Sequence, residues 1–285
     1  MRIRSNPHTH TTFSDGRSTP EEQVARALEL GFVSLGFSDH SAQRVDAFAG
    51  MPEAQEGAYA ACVRDLAARC AGRLRVWLGL ELDSDFGLAG REDYDYILLS
   101  GHYAVGGGMR ALLDCRPRRA QVFEVRDRAF AGDGEAMAAD YFSRLGRRAL
   151  QLRPQILGHF DLVKYFNAGG ALYDPRSPRV RRAALAALED IRASGALLEV
   201  NTGGMARGYM DETYPSRPLI RAWREMGGGV ILGSDCHDAA LMDYGFEQAC
   251  AHLREDGFSG VWELGGEGEP MFVERRFDDS DTALP

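Results

Sequence analysis

The sequence predicts an α/β protein whose parallel strands form a barrel, and two observations carry this prediction. Seven short apolar segments of β type alternate with helical patterns along the 285 residues, which is typical of parallel strands joined by helical crossovers. Six of the seven histidines lie in short polar clusters, and each cluster closes one of the predicted strands. A barrel of parallel strands would bring these clusters together, because the carboxyl ends of its strands meet at one face.

The predicted elements follow from apolar runs and from apolar residues at helical spacing. The predicted strands are Arg2–Asn6, Val33–Phe37, Arg75–Leu82, Tyr94–Ser100, Gln155–Gly158, Ala196–Val200 and Gly229–Gly233. The predicted helices are Pro20–Leu30, Glu53–Cys70, Glu135–Arg153, Pro178–Ser194, Ser216–Gly227 and Ala239–Glu255.

The first predicted helix has clear start and stop signals. Thr19 can act as the N-cap, Pro20 suits the first helical position, and Glu22 can complete a capping box. Gly31 follows the last apolar residue of the pattern, where glycine commonly ends a helix.

Two parts of the chain have no clear periodic pattern. Residues 109–133 follow Gly106–Gly108, which we expect to be a flexible loop, and they form either a lid-like insertion or a long connection. The tail from about Gly265 is rich in glycine and acidic residues, and we expect its last dozen residues to be mobile. We see no linker, so we predict one domain over residues 1–285, with 266–285 as its tail.

The composition is ordinary for a globular enzyme, with 45% hydrophobic and 26% charged residues. The net charge of −9 disfavours broad binding to nucleic acid or to an anionic membrane, and no apolar run approaches the length of a membrane span. The five cysteines form no Cys-x-x-Cys pair and are odd in number, so we expect reduced thiols in a cytoplasmic protein.

The polar clusters have the spacing of paired metal ligands. Alternate side chains of a strand point to the same face, so His8 and His10 converge, and so do Asp235 and His237. Imidazole and carboxylate ligands suit a divalent transition metal. The other polar residues at or after predicted strand ends are Asp15, His40, Glu81, Asp83, His102, His159, Asp161, Glu199 and Asn201.

Glu81 lies in an otherwise apolar predicted strand. Its carboxylate must be paired or bound to a metal, because bare burial would cost several kcal/mol or leave the group protonated. We therefore expect a bridging carboxylate here. Asp83 lies on the same face by alternation, so the sequence prefers Glu81 only weakly.

In this order, the motifs resemble those of the PHP (polymerase and histidinol phosphatase) superfamily of metal-dependent phosphoesterases. The resemblance covers about residues 1–250, and its motifs are His8-Thr9-His10, Ser14-Asp15-Gly16, Phe37–His40, the Glu81 strand, His102, Gly158-His159 and Gly233–His237. The stretches Ile156–Val163, Leu198–Gly204 and Tyr214–Ser216 resemble the histidinol-phosphatase branch.

The resemblance implies a distorted seven-stranded (β/α) TIM-like barrel with three divalent ions, zinc, iron or manganese, at the C-terminal ends of the strands. Carried over by position, the three ligand sets are His8, His10, Glu81 and Asp235; Glu81, His102 and His159; and Asp15, His40 and His237. Glu81 would bridge, and Glu81 and His237 would lie at the catalytic centre.

The implied reaction is hydrolysis of a small phosphorylated substrate, L-histidinol phosphate, to histidinol and phosphate by attack of a metal-bridging hydroxide. Arg207 is the first candidate for binding phosphate, followed by Lys164 and Arg17, although each is also explained as a solvated surface charge. Asp161 is either the general acid or a residue that orients a ligand histidine. Asn201 either binds substrate or braces its loop.

The chain departs from the family pattern at Lys164-Tyr165 and at Gly203-Gly204, where substrate contacts are expected, and at Asp15, which is a histidine in some relatives. A second hypothesis is therefore a PHP phosphoesterase that acts on a nucleotide, an oligonucleotide or a phosphotyrosyl protein. A third is a catalytically idle module, which would be expected to lack ligands, and none is missing from this sequence.

Overall fold

A curled, mainly parallel sheet forms the centre of the structure. The computed structural model describes residues 2–42, 50–87 and 93–277. The strands in these ranges are β1 (Ser34–Phe37), β2 (Arg75–Asp83), β3 (Tyr96–Ser100), β4 (Tyr103–Gly106), β5 (Met109–Leu112), β6 (Ile156–Leu157), β7 (Leu197–Asn201), β8 (Val230–Gly233), β9 (Gly260–Leu264) and β10 (Phe272–Arg276). The sheet order is β1-β2-β3-β6-β7-β8-β9-β10, and its neighbours from β1 to β9 are parallel. This arrangement confirms the predicted α/β class.

Helices connect most of the parallel strands. They are α1 (Pro20–Glu29), α2 (Glu56–Cys70), α3 (Arg119–Ala129), α4 (Gly134–Leu152), α5 (Pro178–Ser194), α6 (Gly203–Ala206), α7 (Arg217–Glu225) and α8 (Phe246–Glu255). The capping box of α1 is confirmed, since Thr19 and Glu22 exchange side-chain and backbone hydrogen bonds. The predicted helix Ala239–Glu255 is wrong in its first half, because Gly245 adopts φ 73° and α8 begins only after it.

The predicted first strand, Arg2–Asn6, is wrong as a regular strand, yet the segment lies where that strand was expected. Val33 donates its backbone N–H to Arg4 O and Gly36 donates to Asn6 O, both at 2.9 Å, along β1. The other side of the segment has side-chain partners, because Arg4 N donates to Glu263 Oε1 at 3.0 Å. Backbone hydrogen bonds to a neighbouring strand therefore form along one side of the segment only. Further along, His10 N donates to Cys236 O at 2.9 Å and links the segment to the end of β8.

Strands β4 and β5 form a hairpin that the sequence analysis did not predict. Gly107 and Gly108 have φ values of 55° and 76°, and two such residues make a tight hairpin turn where we expected a flexible loop. Residues 109–133 therefore contain β5 and α3, which pack on each other. This arrangement favours the insertion hypothesis for that segment.

The tail is also more regular than predicted. β10 pairs antiparallel with β9, so the expectation of a mobile last dozen residues is wrong for residues 274–277. The remaining residues, 278–285, lie outside the described part of the chain. The sequence hides this edge strand because its last three residues, Glu274, Arg275 and Arg276, are all charged, and Glu274 and Arg276 are exposed to solvent.

Glycines on the concave face of the sheet make room for a second core beneath the strand ends. Trp77, Tyr96, Ile156 and Ile231 pack together there, apart from the main core under the helices. A Cβ on Gly79 would lie 2.2 Å from the Tyr96 ring, so only glycine fits at that position. Glu81 is the next residue of β2 on this face. The apolar cluster thus forms the floor beneath Glu81.

No helix in the described residues combines the length and apolarity needed to cross a bilayer. The five cysteines all lie in the described ranges and are free thiols, as the sequence predicts. None of them is a member of the clusters of metal-ligating side chains described below.

Candidate metal centre

Six histidines and three carboxylates meet at the carboxyl ends of the strands. Their potential ligand atoms form four overlapping groups, within each of which the atoms lie no more than 4.8 Å apart. The groups are His10, Asp15, His40 and His237; His8, Glu81 and His159; His8, His10 and Asp235; and His40, Glu81 and His102. The structure thus brings together all nine residues predicted as ligands, although the geometric groups divide them differently from the three predicted sets.

Glu81 lies at the centre of the cluster and is fully buried. Its carboxylate oxygens lie 2.8–3.5 Å from nitrogens of five histidines, which are His8, His10, His40, His102 and His159. Burial by itself would raise the pKa of Glu81, but the charges of His40, His8 and His102 hold that pKa well below its usual range. The carboxylate is therefore ionised and available to several partners, while Asp83 lies further out.

Asp15 and His237 form the exposed side of the cluster. Asp15 Oδ1 lies 3.2 Å from His237 Nε2, 3.7 Å from His40 Nε2 and 3.8 Å from His10 Nδ1. Burial opposes ionisation of Asp15, yet His40 and His237 hold its pKa below the usual value. The His237 side chain is 24% exposed, against at most 8% for the five other site histidines. Asp15, at 30%, and His237 are therefore the side chains of the cluster that are most open to solvent.

Asp235 connects the cluster to an arginine. Its Oδ1 lies 3.2 Å from His10 Nε2, and Arg207 donates from Nη2 to Oδ2 at 2.9 Å and from Nη1 to Asp235 O at 3.0 Å. Asp235 has a φ of 48°, in the left-handed region that aspartate tolerates better than most residues. Burial raises the pKa of Asp235, but Arg207 and His8 lower it well below its usual range overall.

Two further carboxylates orient the ligand histidines from outside. Glu199 Oε1 lies 2.6 Å from His8 Nδ1, and Asp83 Oδ2 lies 3.1 Å from His102 Nδ1. Because ionised carboxylates only accept hydrogen bonds, each holds a proton on Nδ1 and leaves Nε2 free to face Glu81. Glu199 Oε2 accepts from the backbone N–H of His159 at 2.8 Å as well. The sequence analysis noted both residues by alternation but gave neither this role.

The polar atoms at the centre fit a metal cluster. Within the described residues His8 Nε2, His10 Nε2, His40 Nδ1 and Glu81 Oε2 are buried without a hydrogen-bond partner. Such burial costs about 1–3 kcal/mol per atom, and a bound cation would remove the cost. The pKa of His10 is lowered to about 3 by burial and by the neighbouring His237 and His40, so this imidazole is neutral, as a metal ligand must be. A nitrogen and oxygen ligand set suits zinc, iron or manganese.

A cavity of 260 Å³ opens onto the cluster. Its wall includes Asp15, His40, His102, Asp235, His237 and Arg207. The wall also includes residues that were not predicted as site residues: Asp114, Cys115, Arg116, Tyr165, Tyr209 and Tyr214. The first three belong to the segment without a periodic pattern. Tyr165 was noted as a departure from the family, and Tyr214 as part of a stretch that resembles the histidinol-phosphatase branch.

The structure places the predicted substrate contacts in different surroundings. Arg207 lines the metal cavity. The Arg17 side chain is exposed, and Asn201 is buried, donating to Glu199 Oε2 and accepting from Gly203 N. Lys164 and Asp161 line a second, neighbouring cavity. Of the four predicted substrate contacts, only Arg207 is among the described residues that line the metal cavity.

The curled parallel sheet with nine metal-ligating side chains at its strand ends defines a metal-binding α/β protein. The model of the PHP domain matches residues 6–203, and this chain belongs to the PHP family. A relative from Deinococcus radiodurans, named "Probable histidinol-phosphatase", is 31% identical over 260 residues, covering 88% of this chain and 92% of the relative. The histidinol-phosphatase of Bacillus subtilis is 24% identical, covering 84% of this chain and 96% of the relative.

A solved structure agrees with the fold. The histidinol phosphate phosphatase of Lactococcus lactis, crystallised with zinc, L-histidinol and phosphate, superposes with a TM-score of 0.67. The match covers 92% of this chain and 96% of that chain at 18% sequence identity. The likeness confirms the predicted TIM-like α/β fold for nearly the whole chain.

Proposed function

We propose that this protein is a metal-dependent phosphomonoesterase that hydrolyses L-histidinol phosphate to L-histidinol and phosphate. The observation that carries the proposal is the cluster of six histidines and three carboxylates around Glu81, beneath a cavity suited to a small substrate. Relatives that match this chain over most of their length are named for that activity, and the Lactococcus lactis structure contains zinc together with L-histidinol and phosphate.

The nine candidate ligands would hold divalent metal ions. The three ligand sets implied by the family resemblance correspond to three such ions. When bound, such ions supply positive charge that attracts a phosphate dianion and activates water for attack on phosphorus. The ionised carboxylates Asp15, Glu81 and Asp235 together carry a charge of −3, which offsets part of the positive charge of the ions.

Arg207 is the side chain that we propose binds the phosphoryl group. Two hydrogen bonds hold its Nη atoms to Asp235 O and Asp235 Oδ2, and Nη1 also lies 3.2 Å from His237 Nδ1, so the guanidinium keeps one orientation at the cavity wall. A guanidinium carries five N–H donors, so others remain for phosphoryl oxygens. Burial opposes the charge on Arg207, but Asp235 raises its pKa overall, so the group is always a cation.

The predicted catalytic residues keep different roles in this proposal. Glu81 organises the centre, and His237 is the site histidine most open to substrate. Asp161 lies outside the metal cavity, so we do not assign the leaving-group proton to it. Its surroundings suggest another role, described below. We also propose a cytoplasmic location, for which the unpaired cysteines are the support.

Phosphate release by the metal-loaded protein tests the function. The panel comprises L-histidinol phosphate, a nucleoside monophosphate, a phosphotyrosine peptide and a simple aryl phosphate. We expect kcat/KM for L-histidinol phosphate to exceed the others by at least about 100-fold, since specific polar contacts to an amine and an imidazole discriminate strongly. Chelation should abolish all activity, and readdition of zinc, iron or manganese should restore it. Equal rates for histidinol phosphate and aryl phosphate would refute the proposed substrate.

A further inference from the structure

A second cavity of 1330 Å³ adjoins the metal cavity. The two cavities share Tyr165 and Tyr209 in their walls. Apolar side chains such as Leu185 of α5 form its sides, and the buried residues Asp161 and Lys164 form its inner end. None of the nine proposed metal ligands is among the described residues that line it.

Three oxygens surround the ammonium group of Lys164. Its Nζ donates to Glu212 Oε1 and to Thr213 O, both at 2.9 Å, and lies 3.2 Å from Asp161 Oδ2 in an ion pair. Two of its three N–H donors are therefore used in hydrogen bonds, and its charge is already paired with carboxylates. The two carboxylates and one ammonium leave an excess of one negative charge at the inner end.

Asp161 retains an acceptor that nothing in the described residues satisfies. The residue is 3% exposed, and its Oδ2 accepts from Ser216 N at 2.9 Å and forms an ion pair with Lys164 Nζ at 3.2 Å. Its other oxygen, Oδ1, is buried without a hydrogen-bond partner among the described residues. Burial and the charge of Asp161 raise the pKa of the nearby Tyr173 and Tyr214, so both remain neutral. A buried acceptor of this kind favours a ligand that donates a hydrogen bond.

We propose that the second cavity binds a small organic cation, with an ammonium or imidazolium N–H directed to Asp161 and an apolar body against α5. The excess negative charge attracts a cation, and the Tyr165 ring in the wall can add a cation–π contact, whereas the Tyr209 ring already carries the Arg116 guanidinium at 4.1 Å. The charges at the rim, Arg176 and Arg181 against Asp174 and Asp211, balance one another. The cation is either the leaving-group part of a substrate held at the metal cavity or a separate molecule. Only the first of these sources rests on the proposed function.

Calorimetric titration of the zinc-loaded protein with L-histidinol and with histamine tests this site without any hydrolysis. The variants are Asp161→Asn, which removes the negative charge, and Leu185→Trp, which fills the side of the cavity without touching the ionic network. Asp174→Asn is the matched control, because it removes a carboxylate from the rim, where the side chain is 51% exposed. Zinc content and thermal melting are recorded for each protein.

We expect Kd for both cations to rise about 10- to 100-fold in Asp161→Asn, the effect of losing a charged hydrogen bond, and less than about threefold in Asp174→Asn. Leu185→Trp should also weaken binding. Inhibition of aryl phosphate hydrolysis by the same cations then distinguishes the two possible ligands. Competitive inhibition indicates that the cavity holds the leaving-group part of the substrate, and mixed inhibition indicates that it holds a separate molecule. Unchanged Kd in both Asp161→Asn and Leu185→Trp would overturn the proposal, whether or not histidinol phosphate is a substrate.

Discussion

Glu199 allows a sharp test of the metal centre, because it controls the orientation of two ligands without being a ligand itself. Its Oε1 lies 2.6 Å from His8 Nδ1, and its Oε2 accepts from His159 N at 2.8 Å and from Asn201 Nδ2 at 2.9 Å. The side chain is fully buried, so water cannot replace these contacts. The perturbation is Glu199→Gln, which keeps the shape and replaces one oxygen by an NH2 group.

The amide has no satisfactory orientation in this site. If its NH2 faces His159 N and Asn201, donors oppose donors. If it faces His8, then Nδ1 must accept, which moves the imidazole proton to Nε2, the atom that should bind the metal. Loss of one hydrogen bond to a charged group costs about 1.5–3 kcal/mol, which corresponds to about 10- to 150-fold in metal affinity. Losses of 10- to 100-fold are typical when partners of ligand histidines are changed.

The assay is a zinc titration of metal-free protein in competition with a chromogenic chelator, combined with metal analysis and circular dichroism. Glu263→Gln is the matched control, because Glu263 is also buried and accepts from Arg4 N but contacts no site histidine. We expect weaker metal binding in Glu199→Gln only, with folded secondary structure in both variants. Zinc affinity within twofold of the unmodified protein in Glu199→Gln would refute the orienting role.

Three further predictions concern the cavity, an ion pair and the strand glycines. Arg207→Ala should lower kcat/KM about 100-fold in phosphate-release assays at nearly intact metal content, whereas Arg128→Ala, 69% exposed, should change it less than twofold. Asp256→Asn should lower the free energy of unfolding by about 1–3 kcal/mol at pH 7. Burial raises the pKa of Asp256, but two arginines of α7 lower it overall, so the carboxylate stabilises the folded state when it is ionised. Chemical denaturation should therefore show the lower free energy of unfolding of Asp256→Asn above about pH 4. The difference between the two proteins should disappear as the pH falls through the folded-state pKa of Asp256. Gly79→Ala should destabilise the protein by about 1–3 kcal/mol, because the new Cβ would meet a tyrosine ring of β3 at 2.2 Å, whereas Gly57→Ala, with open space in α2, should stabilise it slightly in thermal melts.

The sequence predicted the strands at the centre of the sheet better than its edges. The parallel strands β2, β3, β7 and β8 are buried on both faces and read as continuous apolar runs. Strand β10 has three charged residues among its five, and β4 and β5 have only four residues each and are half-buried near their turn, so none of them reads as a long apolar run. The predicted helix from Ala239 ignored Gly245, where a positive φ breaks the pattern.

The candidate ligands were predictable because the information is local. A strand alternates with a period of two residues, so His8 with His10, and Asp235 with His237, must point to one side whatever the rest of the chain does. An acidic residue in an apolar strand must find a partner, which favoured Glu81, although only weakly over Asp83 on the same face. The order of these motifs along the chain is sufficient to indicate the PHP family.

The sequence by itself thus determined the α/β class, the candidate ligand residues and the family. Only the tertiary structure decided which ligands share a centre, that Lys164 is held by three oxygens, and that Asp161 faces a separate cavity. The physical reason is separation along the chain. The alternation of side chains in a strand depends on residues two positions apart, whereas the contact between Lys164 and Thr213 O joins residues 49 positions apart. Such contacts depend on how loops from different strands pack, and no local pattern of residues encodes that packing.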